Sequence, residues 1–115
     1  MMLRFIAMIL MATPVAAQEF PTRGGDEIFD TNATRDVIVE KSHEFYDGGV
    51  SFYSISVDYS YTYPDGGRAF GRYELGEDGV VCTFFRHGFE RCDLYVQDAR
   101  GLVLITQDSH RFLIR

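Results

Sequence analysis

The chain is short of the residues that most chemistry requires. It holds two cysteines, Cys82 and Cys92, and three histidines, His43, His87 and His110. No histidine stands in H-x-H or H-x-x-x-H spacing and no acid lies at a diagnostic offset, so no metal site is nominated and solvated turn histidines are expected. The G-x-S-x-G elbow, the phosphate loop and the dinucleotide glycine fingerprint are all missing. A nucleotide-dependent transferase or oxidoreductase would therefore have nowhere to hold its cofactor. The sequence accordingly nominates no catalytic residue and no cofactor. Long hydrophobic runs are also missing: Phe5 to Ala12 spans eight apolar residues, against the roughly 20 of a membrane span.

That short run has a different meaning. Arg4 precedes it, Pro14 ends it, and Val15-Ala16-Ala17 supplies small residues before a cut. Together they form the pattern of a secretory signal peptide over residues 1–17. Residues 18–115 are then one small domain, periplasmic or secreted. Without Arg4, ten basic residues face seventeen acidic ones, a net charge of −7. The acids are scattered and there is no basic stripe, which disfavours nucleic acid and anionic membrane surfaces.

Residues 18–30 mix proline, two glycines and acids without periodicity and read as an irregular lead-in. Thr34 is a candidate N-cap for a short helix from Arg35 to Lys41. Beyond Ser42, short β patterns alternate with glycine turns. The predicted strands are 43–47, 50–55, 57–63, 68–75, 80–85, 89–96, 102–106 and 111–114, with turns such as Asp47-Gly48-Gly49 and Pro64-Asp65-Gly66-Gly67. Seven to eight consecutive short strands with no helices between them predict a mainly β fold. The chain would form an antiparallel meander rolled into a barrel, a roll or a sandwich, with a short N-terminal helix.

The two cysteines lie in VCTFFRHGFERCD. Three residues join Phe85 to Phe89, and Gly88 can take the left-handed conformation that ends such a hairpin loop. That register sets Phe84 against Glu90, Thr83 against Arg91 and Cys82 against Cys92, at a non-hydrogen-bonded pair about 4.5 Å apart at Cα. A structural disulfide between Cys82 and Cys92 follows. His87 at the loop tip would lie roughly 14 Å away by strand rise, too far to share an ion with both sulfurs. The segment also shares Phe85, Gly88 and Cys92 with the haem-binding loop of haem-thiolate monooxygenases, but Glu90 and Leu94 replace that loop's arginine and last glycine, and the match is set aside.

Tyr59, Tyr61 and Tyr63 alternate with Ser60 and Thr62, which places the three rings on one face, with Tyr73 of the following strand beside them. They are either the core face of an amphipathic strand or a ligand or partner face, since tyrosine offers a large apolar body with a polar tip. Finally, GEDGVVC, RCDLYV, GLVLIT and RFLIR, within residues 76–115, resemble the C-terminal half of small exported proteins of Gram-negative bacteria with no assigned activity. The resemblance supplies no catalytic residue. The expectation is a non-enzymatic module that binds an unidentified protein or a small apolar ligand. The alternatives are a small carboxylate-dependent hydrolase or lyase, or a structural envelope protein.

Overall fold

The computed structural model describes residues 15–115 of the chain, so residues 1–14 of the expected signal peptide lie outside the described residues. The lead-in is more structured than its composition suggested. Ala17–Glu19 forms a 3-10 turn and Glu27–Ile28 forms β1, which pairs with a later strand. The helix α1 runs Thr31–Ile38, earlier than expected, and its N-cap is Asp30 rather than Thr34. Asp30 Oδ1 accepts the Ala33 amide at 2.7 Å, satisfying one of the free donors of the first turn. Thr34 is buried, its hydroxyl donating to the Asp30 carbonyl at 2.8 Å. The helix stops at Ile38 because Val39 is extended and forms a parallel bridge to Tyr53, and Glu40 donates its amide to the Tyr53 carbonyl at 2.7 Å.

Eight strands follow: β2 (Ser42–Glu44), β3 (Val50–Tyr53), β4 (Asp58–Thr62), β5 (Arg68–Leu75), β6 (Val80–Phe85), β7 (Glu90–Asp98), β8 (Gly101–Thr106) and β9 (Arg111–Leu113). Each pairs antiparallel with its neighbour in sequence, and β1 adds to β7 at Val96 and Gln97. This is the expected meander, and of the expected outcomes it takes the form of a curled half-barrel sheet. The two outer strands meet at one end, where Phe45 bridges Ile114 and the Arg115 amide donates to the Glu44 carbonyl at 2.9 Å. The curl depends on a close approach at Gly71 in β5. A Cβ there would stand 2.3 Å from the Phe84 carbonyl oxygen, inside contact distance, so only glycine lets β5 and β6 come together in this way.

The sheet has two differently packed faces. The outer face buries Val80, Leu94, Val96, Val103 and Ile105, and Ala17 and Phe20 of the lead-in cover it. Phe20 is 4% exposed, and burial of such a ring contributes about 2 kcal/mol toward holding an otherwise irregular segment. A second clasp is electrostatic: Arg111 donates to both carboxylate oxygens of Asp26, at 2.8 and 2.9 Å, with both side chains nearly buried. The inner face buries Tyr53, Tyr59, Tyr73, Tyr95, Val81 and Leu104 together with Ile38 of α1. The helix thereby closes one end of the curl, tied there by Thr31 Oγ1 donating to the Gly76 carbonyl at 3.0 Å. Among the described residues, no helix is long and apolar enough to cross a membrane.

Candidate functional site

The hairpin of β6 and β7 has the anticipated register. Cys82 pairs with Cys92, Thr83 with Arg91 and Phe84 with Glu90, and Gly88 takes a positive φ of 96°. The cysteines form a disulfide with their Cα atoms 4.0 Å apart. Their side chains pack on the outer cluster, so the staple lies on the face away from the curl. A disulfide in a small domain is compatible with an oxidising compartment.

Alternation along the strands sends the remaining hairpin residues inward. Thr83 and Phe85 of β6 and Arg91, Asp93 and Tyr95 of β7 share the inner face with Tyr59 and Tyr61 of β4. At the end of the curl away from α1, Tyr59, Tyr61, Phe85, Arg91 and Asp93 border a half-open cavity of about 410 Å³, within the usual range for small-molecule sites. Its walls are mostly aromatic. Tyr59, Tyr61 and Tyr63 line one side, Phe85 and Phe89 a second, and Phe45 and Phe112 a third. Rings meet at corners: Tyr61 and Tyr63 are 4.9 Å apart at 87°, Tyr59 and Phe85 5.6 Å at 82°, and Phe45 and Phe112 6.1 Å at 89°.

Tyr59 and Tyr61 of β4, with Tyr63 just past its end, descend from rim to core. Tyr63 is 48% exposed, Tyr61 is partly buried, and Tyr59 is buried with its hydroxyl 2.8 Å from Ser51 Oγ. Burial pushes the Tyr59 phenol up to about 12. Beneath it, Tyr53 and Tyr95 share a hydrogen bond of 2.6 Å between hydroxyls, which satisfies both polar tips inside the core. Tyr73 lies apart from this row. Tyr59 pairs with Gly71, so Tyr73 falls one step nearer α1, where it is buried, donates to the Ser54 carbonyl and borders a separate hollow with Val39 and Leu75.

Polar groups enter the cavity at two places. At its floor Arg91 donates through Nε and Nη2 to both oxygens of Asp93, at 2.9 and 2.7 Å. Burial pushes the Asp93 carboxyl above its ordinary range and outweighs the opposing pull of the guanidinium. At the rim, Asp47 Oδ1 accepts the Gly49 amide at 2.8 Å. A Cβ on Gly49 would lie 1.9 Å from Tyr61 Oη and 3.2 Å from Asp47 Oδ1, so the phenol and the carboxylate sit side by side over that glycine.

The histidines divide. His110 is exposed, 3.2 Å from Asp108. His87 stacks on Phe85, with ring centroids 5.5 Å apart and planes at 3°, and borders the cavity. His43 is a correction: instead of a solvated turn residue it is 4% exposed, with Nε2 3.0 Å from the Ile38 carbonyl, and burial lowers its basicity. It is buried because β2 starts directly beneath the end of α1. Among the described residues no three His, Cys, Asp or Glu side chains come together in a metal-holding group.

Sequence reasoning named the tyrosines but missed Arg91, Asp93, Asp47, Phe85 and Phe89. The signal was present in the hairpin register, which places Phe85, Arg91 and Asp93 on one face. It could be used only once that face was known to be the inner one. No protein-family model, no curated protein and no solved structure matches this chain.

Proposed function

We propose that this domain is a non-enzymatic binding module of the periplasm or extracellular space, which takes a small, largely apolar ligand into the aromatic cavity of the half-barrel. The observation that carries this reading is the combination of a cavity of about 410 Å³ with walls built mostly from tyrosine and phenylalanine. A face meant only for the core would close over such rings, whereas Tyr63, Phe89 and Phe112 remain 48%, 55% and 44% exposed at the mouth. The concave shape favours a small molecule over a protein, because a protein partner needs a broad surface and the rings here turn inward. Carboxylate catalysis is less well supported. Asp93 is held bidentate by Arg91, and Asp47 is committed in part to its own turn.

The test is native mass spectrometry of protein recovered from its own compartment, alongside titration with the neutral dye N-phenyl-1-naphthylamine. A retained small molecule, or saturable dye binding lost in Tyr61→Ala, supports the reading. An empty protein that leaves the dye dark would overturn it.

A further inference from the structure

Three aromatic rings outside the cavity are matched with the chain's own cations. Arg72 lies 4.6 Å over the Phe84 ring, Arg86 5.3 Å over Phe70, and Arg115 5.4 Å over Tyr46. None of these three rings borders the cavity. Inside it the pattern is reversed. Among the described residues, no arginine or lysine lies over a cavity ring, and the one guanidinium that lines the cavity, Arg91, turns its fork to Asp93. That pair cancels in formal charge. Asp47 is then the uncompensated charge of the lining, near the Tyr61 hydroxyl at the rim.

The face of an aromatic ring carries negative electrostatic potential, and rings set at right angles around a hollow present several such faces to one guest. Such a hollow, with one carboxylate at its edge, suits an organic cation whose charge is spread over methyl groups. Such a cation sheds its water cheaply and needs no hydrogen-bond donor partner. An anion would meet the ring faces and Asp47 unfavourably, and the Arg91 fork that could compensate is already engaged. We infer that the ligand of the cavity is a quaternary or methylated ammonium compound, received by the Tyr61, Tyr63 and Phe89 rings and steered by Asp47. The inference rests on the binding-module reading above and names its ligand class.

The experiment compares three soluble probes of one shape by NMR titration of the intact domain: choline, its neutral carbon analogue 3,3-dimethylbutan-1-ol, and the anion 3,3-dimethylbutanoate. Choline is expected to bind roughly tenfold more tightly than the alcohol, the advantage of a partly desolvated cation over ring faces, and the anion more weakly still. In Asp47→Asn, which keeps an oxygen for the Gly49 amide, choline affinity should fall several-fold, and by more than the affinity for the neutral alcohol. Equal or tighter binding of the alcohol or the anion, or choline binding indifferent to Asp47→Asn, overturns the cation assignment. If the dye still binds in that case, the module reading stands. If neither the probes nor the dye bind, both readings fall.

Discussion

Where the outer face of β6, β7 and β8 buries valine, leucine and isoleucine beneath Phe20 and Ala17, the inner face of the sheet buries tyrosines of β3, β4, β5 and β7, and the hydroxyls of Tyr53 and Tyr95 bond to each other and that of Tyr59 to Ser51. The outer face is sealed by chain and disulfide; the inner face is sealed at the α1 end and left open at the other. One sheet is thus divided between holding itself together and presenting a surface. Aliphatic side chains pack densely and carry no polar atoms to satisfy. Tyrosines can run from core to rim along one strand, apolar at depth and polar where water or a ligand reaches them.

Leu94→Ala should do the most damage to the outer face, with a loss of about 3 kcal/mol in urea unfolding, because the side chain is fully buried and the staple limits collapse. The loss should come without any change in dye affinity for the folded fraction. The double replacement Cys82→Ala with Cys92→Ala comes next, at about 2.5 to 3 kcal/mol for opening a closed loop of this length. A cavity that still binds afterwards would confirm that the staple serves the sheet and not the site.

Acid provides the third probe, since the faces hold carboxyls displaced in opposite directions. The Arg111 hydrogen bond draws Asp26 below the ordinary carboxylate range, so its contribution is complete above that range and is lost as pH falls through the lowered value. Asp93, raised by burial, behaves inversely: its contribution is present at low pH and lost as pH rises through the raised value. Asp26→Asn should cost about 2 kcal/mol at neutral pH, less than a fully isolated buried pair because Asp98 remains 3.6 Å from Arg111. It should also flatten the acid limb of the stability curve. A limb of unchanged steepness would assign it to another carboxyl. The smallest effect is expected at the rim: Tyr63→Ala and Phe89→Ala should change stability by no more than about 0.5 kcal/mol, yet weaken dye binding several-fold. A larger loss of stability would make the rim part of the core.

Local rules carried the sequence furthest where they act over a few residues. The cysteine register, Gly88, the meander and nearly every strand from Val50 onward follow from turn chemistry and two-residue alternation. The lead-in escaped because Phe20, Asp26 and Glu27 are ordered by strands more than fifty residues away, which no local pattern records. His43 was misjudged because its burial is tertiary, supplied by the end of α1 and by the Tyr53 and Tyr95 rings. The tyrosine row was visible as a row, but whether it walled a hollow depended on the direction of curl. That direction is settled by distant contacts such as Phe45 with Ile114.

The hydroxyl pair of Tyr53 and Tyr95 gives the domain an optical property. Both phenols are pushed well above their ordinary range, chiefly by burial, and Tyr59 follows them to about 12. Their stabilising contribution is intact below the free phenol value and is lost as pH climbs through the raised ones. Tyrosinate absorbance from Tyr53 and Tyr95 is therefore held back while the inner face is packed, behind that of Tyr59. In an alkaline titration their ultraviolet signal marks the moment the half-barrel opens, and it serves as a built-in reporter of the integrity of the cavity floor.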